Sequence, residues 1–239
     1  MRLLTAIIAI IAGFAAVSAR PSGIDFHALI ESADRSADAR SAGDRQALQE
    51  MLGSAQGLQR WRQAPKLTIL VSVMNYRSGG DVEYAATNEL LSDVDVAELV
   101  RDLTDGLAVL TANTFEQFSS VSHEVIAPGA TVRVSRPDQI VTGRFNGLRR
   151  SVKTLGFGGR RARKDGTITA GAILLDSEFD RTSARRRLLR THELGHALGY
   201  NHVHSRTSIM NPGIGAEPND FDRAAALIAF REPAFVASR

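Results

Sequence analysis

One run of eleven residues constrains this chain more than any other: His192-Glu193-Leu194-Gly195-His196-Ala197-Leu198-Gly199-Tyr200-Asn201-His202. On an α-helix, residues four apart share a face, so His192 and His196 can hold one cation through neutral imidazoles. Glu193 can reach a water on that cation without being a ligand. Gly199 falls where the helix must stop, because glycine tolerates the positive φ that turns the chain back. The turn lets His202 approach from a second direction. Three histidines that leave a fourth position to water form the open arrangement of a catalytic zinc site, not a structural one. The HExxH core alone would arise by chance in about one chain in a hundred of this size, and the glycine and third histidine at fixed offsets lower that roughly a thousandfold.

The long form resembles the signature of the metzincin zinc peptidases, in which HExxHxxGxxH is followed by a Met-turn. The matching turn here is Ser208-Ile209-Met210-Asn211-Pro212. The resemblance implies that Met210 lies beneath the metal as an apolar base for the imidazoles, a role its adaptable thioether suits. Pro212 is matrixin-like, and the zinc-binding tyrosine that astacin-type members carry at that position is absent. The implied fold class is α+β and zincin-like: a twisted mixed β-sheet, a long zinc-binding helix and a small C-terminal helical subdomain, with the cleft between them. The implied chemistry is one catalytic Zn2+ on His192, His196 and His202, with Glu193 as general base and Gly199, Met210 and Pro212 in support. The expected partner is a peptide or protein substrate in extended conformation, cleaved by an exported endopeptidase. A zinc hydrolase of non-protein amides and a non-catalytic envelope-binding relative are the alternatives.

The chain also departs from the matrixin pattern. Val203 stands where a serine is usual, and only His27 and His123 lie outside the site region, too few for a second, structural zinc. Asp176, Ser177 and Glu178 lack the matrixin calcium spacing. His204 is a spare imidazole and the alternative third ligand, although the offset from Gly199 selects His202.

At 239 residues the chain fits one large domain, or one domain with a small appendage. Met1 to Ala19 reads as a secretory signal, with Arg2, an apolar stretch from Leu3 to Val17, and a small-residue cleavage site at Val17-Ser18-Ala19. An uncleaved anchor is the other reading, but a membrane span usually needs about 20 apolar residues. No second candidate span follows, so the expected location is secreted or periplasmic, with no transmembrane span after cleavage. The chain has no cysteine, which excludes disulfides, thiolate ligands, a cysteine nucleophile and the cysteine switch of many matrixin precursors. Its net charge of +3 is too small for a global field to matter.

Residues 20 to 64 are polar and rich in Ala and Arg, with helical leanings at 25–33 and 44–58. They fit a pro-segment, a packed N-terminal extension or a mobile linker, with the catalytic domain running from 65 to 239. An aspartate of such a segment blocks the zinc in some metzincins, and Asp25, Asp34, Asp38 and Asp44 are formally available. Lys66 to Met74 is the clearest strand, β-branched, apolar and opened by Pro65. Asp93 to Thr111 has a helical apolar period, with Asp93 as its cap. Phe115 to Ile126 and Thr131 to Ser135 read as strands joined through Pro128-Gly129.

Arg144 to Lys164 holds eight Lys/Arg and no acidic residue. It fits a solvated basic face, a cleft rim for acidic or polar substrates, or a surface for anionic envelope polymers or nucleic acid. Aromatic residues are too sparse for base stacking, so no nucleic-acid partner is expected. By position, metzincins place here the edge strand that pairs with substrate through its backbone. That strand is placed near Val152 to Phe157. Thr167 to Asp176 is an apolar strand leading into the zinc helix, expected from about Thr182 to Leu198, with Arg185, Arg186, Arg187 and Arg190 on its solvent face. Asn219 or Asp220 caps a last helix, Phe221 to Phe230. The resemblance spans roughly Lys66 to Phe230, but its specific motifs lie within His192 to Pro212.

Overall fold

Strand β1 (Lys66–Asn75) is central to the sheet because its residues are buried on both faces. Leu67, Ile69 and Val73 point into the larger of two cores, while Leu70 and Met74 point into the smaller one on the opposite face. That is the period-two alternation of a strand. The computed structural model describes residues 42–54, 57–77 and 83–230. The expected signal segment, Asp25, Asp34 and Asp38 lie outside the described residues.

Six further strands join β1: β2 (Glu83–Leu90), β3 (Ser120–Glu124), β4 (Thr131–Arg133), β5 (Gln139–Asn146), β6 (Gly156–Ala162) and β7 (Ile168–Asp176). Their order is β4-β2-β1-β5-β7-β6, with β3 also paired to β1. The pairings β1–β3, β1–β5 and β5–β7 are parallel, and β1–β2, β2–β4 and β6–β7 are antiparallel, so the sheet is mixed. The larger core lies between one face of this sheet and four helices: α1 (Ala42–Leu52), α2 (Asp93–Leu110), α5 (Arg186–Leu198) and α6 (Asp220–Phe230). Two short helices, α3 (Leu148–Val152) and α4 (Ser177–Thr182), sit on the connections around β5, β6 and β7. The architecture is α+β. Among the described residues, no helix is long and apolar enough to cross a membrane.

Several elements differ from the sequence expectation. The edge strand begins at Gly156, and Val152 ends α3 instead. The shift follows from Lys153, whose left-handed φ of 60° terminates that helix turn before the strand can start. The strands expected at 115–126 and 131–135 shrink to β3 and β4, which pair with β1 and β2 and not with each other. Helix α2 is capped by Ser92, one residue before Asp93, through a reciprocal capping box with Asp95. The helix of His192 and His196 is shorter than expected, because Ser183 adopts extended backbone and separates α4 from α5. Asp176 caps α4 by accepting from Phe179 N–H.

The arginines of α5 do not form one solvent face. Arg187 is exposed and pairs with Glu217, and Arg186 pairs with Glu98, but Arg190 is fully buried. Its guanidinium donates Nε to Asp180 Oδ1 at 2.7 Å, Nη2 to Asp180 Oδ2 at 2.8 Å and Nη1 to Asp102 Oδ2 at 2.8 Å. Asp180 also accepts from buried Arg144, which reaches Asp95. The resulting chain Asp95–Arg144–Asp180–Arg190–Asp102 joins α2, β5, α4 and α5 under the sheet. Three carboxylates around two guanidiniums satisfy the pairing that buried charges require.

Residues 42–54 and 57–64 pack as part of the domain. Leu48, Met51, Leu52, Leu58 and Trp61 belong to the larger core. Trp61 Nε1 donates to Ala197 O at 3.0 Å, and Arg60 Nη1 to Ala229 O at 2.7 Å. Asp44 forms an ion pair with Arg206.

Candidate metal centre

Helix α5 carries His192, Glu193 and His196 on its inner side, and Gly199 stops it. Gly199 has φ 124°, and a Cβ there would come within 2.2 Å of Gln59 O, so both conformation and space require glycine. The chain then turns back and brings His202 to the other two histidines. Among the described residues, His192, His196 and His202 form the one group whose ligand atoms lie within 4.8 Å of one another. His204 stays outside that group, exposed, with its ring centroid 6.3 Å from that of His202.

The hydrogen bonds decide what the imidazoles present to one another. His192 Nδ1 lies 2.7 Å from Ile209 O, and His196 Nδ1 lies 2.9 Å from Tyr200 O. A carbonyl only accepts, so each Nδ1 carries the ring proton and each Nε2 is left as a bare lone pair. These two Nε2 atoms stand 3.3 and 3.1 Å from His202 Nε2. His202 has at most one proton on that nitrogen and can satisfy only one of them. Converging lone pairs of this kind suit a cation. The spacing also suits it, since two ligands about 2.0–2.1 Å from a tetrahedral zinc are about 3.3 Å apart. The donor set therefore fits a metal ion held through three neutral imidazoles.

The second turn supports the first. Met210 is fully buried with its sulfur against Gly195, where a Cβ would come within 2.4 Å of Sδ. Met210 O accepts from Val203 N–H at 2.9 Å, tying the turn to the residue after His202. Ile209 supplies the carbonyl that orients His192. Pro212 is exposed at the end of the turn.

Glu193 is 5% exposed and lies under β6. A Cβ on Gly156 would meet Glu193 Oε1 at 2.5 Å, and one on Gly158 would meet Glu193 O at 2.2 Å, so the strand approaches the helix only because both positions lack side chains. Burial pushes the Glu193 carboxyl up to about 8, against the opposing pull of Gly158 N–H, which donates to it. Burial likewise lowers His192, brings His196 down to about 3 and His202 to about 4, with mutual repulsion among the imidazoles adding to the latter two.

These shifts set opposite stability slopes. Glu193, raised from 4.5 to about 8, contributes stability that is lost as pH rises through about 8. The histidines, lowered from 6.5, contribute stability that is present above 6.5 and lost as pH falls toward 4 and 3. In the presence of a chelator, the urea midpoint is therefore expected to peak near pH 7 and to be lower at both about pH 5.5 and about pH 8.5. A midpoint climbing steadily across that range would contradict the burial of Glu193.

Sequence reasoning missed several residues that shape this site. Asp222 on α6 accepts from Ile209 N–H at 3.1 Å and from Ser208 Oγ, holding the Met-turn from below. Arg160 on β6 donates Nη1 to His196 O and to Tyr200 O, the carbonyl that orients His196, and donates Nη2 to Asn201 Oδ1. Burial lowers it to about 10. With Arg144 buried and Arg160 turned to the helix end, the basic stretch is not one face. Of its exposed members, Arg149, Arg150 and Lys153 line a cavity of about 530 Å³ that Asp176 and Glu178 share, and Arg161, Arg163 and Lys164 lie apart from it. No spacing rule links positions 160 or 222 to the histidines. Neither models of protein families nor curated proteins gave a match to this chain.

Proposed function

We propose that the chain is an exported zinc-dependent endopeptidase of metzincin type, and that Glu193 is its general base. The observation that carries the reading is the convergence of three imidazole Nε2 atoms, two of them from the helix that also carries the buried Glu193. Zinc at that point supplies Lewis acidity, which polarises a carbonyl and brings the pKa of water from about 15.7 to around 7.

The chain's own residues do the rest. Ile209 O and Tyr200 O fix the tautomers of His192 and His196, and such orienting partners sharpen ligand direction and basicity. A cation held by the histidines would favour the ionised form of Glu193 against the effect of burial. Glu193 then accepts the proton of the attacking water and delivers it to the leaving amine. Gly158 N–H holds its carboxylate in place between those transfers. Strand β6 ends the sheet, with Phe157 45% exposed, and offers backbone groups to an extended peptide.

The test is metal analysis of the secreted protein followed by digestion of casein and a peptide library. One zinc per chain and cleavage abolished by a chelator, then restored by zinc, are the expected results. A zinc-loaded protein that leaves both substrates intact would sink the endopeptidase reading.

A further inference from the structure

The three imidazoles are not held alike. His192 and His196 ride on α5, with Nδ1 partners from the backbone. His202 is exposed and sits in an irregular stretch between Gly199 and Ser208. A ligand on such a stretch must be ordered by something else before metal arrives, or the ordering entropy is subtracted from affinity.

One side of that ordering comes from the turn after it, where Val203 N–H donates to Met210 O and Asn211 Nδ2 donates to Val203 O and Arg206 O. The other side comes from the N-terminal segment. Asn201 N–H donates to Met51 O at 2.8 Å, and Asn201 Nδ2 to Gly53 O at 2.6 Å. On the far side of His202, one oxygen of Glu50 accepts three bonds: from His204 N–H at 2.6 Å, Ser205 N–H at 3.0 Å and Ser205 Oγ at 3.1 Å. Gln46 Nε2 holds the other oxygen at 3.1 Å. Arg206 pairs with Asp44 one helix turn and a half earlier on α1. The segment is itself seated by Leu48, Met51, Leu52 and Trp61 in the core and by Gln59, which accepts from Arg160 Nε at 2.6 Å.

We propose that the stretches Asp44 to Ser54 and Gly57 to Trp61 are a built-in clamp on the third metal ligand, with Glu50 as its positioning residue, so that metal affinity depends on this segment staying in place. The proposal rests on reading the histidine trio as a metal site. It makes the segment a part of the site and not a cover to be removed. By linkage, metal bound at His202 stabilises the docked segment in return.

The experiment uses the full chain and its Glu50→Ala and Glu50→Gln variants, with zinc affinity measured by competition against a chromophoric chelator. Loss of a partner bonded to a ligand side chain lowers metal affinity about 10–100-fold. Glu50 acts through the backbone of His204 and Ser205, so the expectation for Glu50→Ala is the lower end, about 10-fold. Glu50→Gln removes the charge but keeps an acceptor, so it is expected to retain more affinity than the alanine variant. Equal losses in the two would show that charge and not position matters, and would overturn the clamp. Affinity within about twofold of the wild type in Glu50→Ala would overturn it as well. Should the variants not fold, limited proteolysis of the wild type decides: cleavage between 44 and 61 is expected to slow with zinc and to release zinc once it occurs. Nicked protein that keeps zinc at full affinity would refute the clamp. A wild-type protein that binds no zinc at all would instead bring down the metal-site reading, and the clamp with it.

Discussion

Glu193→Gln is expected to leave zinc bound at one per chain and to lower peptide-bond cleavage by about 10²–10⁴-fold, the range that a positioned acid–base group supplies. Glutamine matches the shape of the carboxylate, and its carbonyl oxygen can still accept from Gly158 N–H, so the packing under β6 survives. What it lacks is a site that takes up a proton and gives it back. The measurement is turnover of a fluorogenic peptide beside metal stoichiometry on the same sample. Retained turnover would remove Glu193 from the mechanism. Lost zinc with lost turnover would instead give the carboxylate a part in holding the metal.

The second large effect concerns the foundation of helix α5. Arg190→Ala is expected to destabilise the fold by about 3–5 kcal/mol, because Asp180 and Asp102 would remain buried without their shared cation. For a chain of this size that corresponds to a fall in Tm of roughly 6–20 °C. Arg190→Lys should recover only part of the loss, since an ammonium cannot reproduce the two-pronged contact with both Asp180 oxygens while also reaching Asp102. Thermal unfolding with chelator present isolates this effect from metal binding. An alanine variant within about 1 kcal/mol of the parent would mean that the buried network contributes little net stability.

Arg190 also marks a limit of reading the sequence. It lies four residues before Leu194 and eight before Leu198, both fully buried, so the helical period turns it inward, against its expected place on the solvent face. An arginine can sit there only if acids meet it. Asp102 and Asp180 come from two other elements, and no local pattern announces that pairing. Strand β5 was hidden for a related reason. Its residues Gln139 to Asn146 mix polar and apolar side chains, yet nearly all are buried, because neighbours on both edges and cores on both faces enclose it.

The amino-acid order by itself determined the spacing of His192, Glu193, His196, Gly199 and His202, since helical periodicity and the freedom of glycine act within a few residues of each other. It likewise determined β1, α2, β7 and α6 to within a few residues, because their hydrophobic patterns are local. Tertiary structure decided which carbonyls fix the imidazole tautomers, how β6 closes over Glu193, how Asp222 braces the turn at Ser208 and Ile209, and why Glu50, Met51 and Gly53 reach the loop of His202. Those contacts join positions far apart in the chain, and only the packing of sheet against helices brings them within hydrogen-bond range.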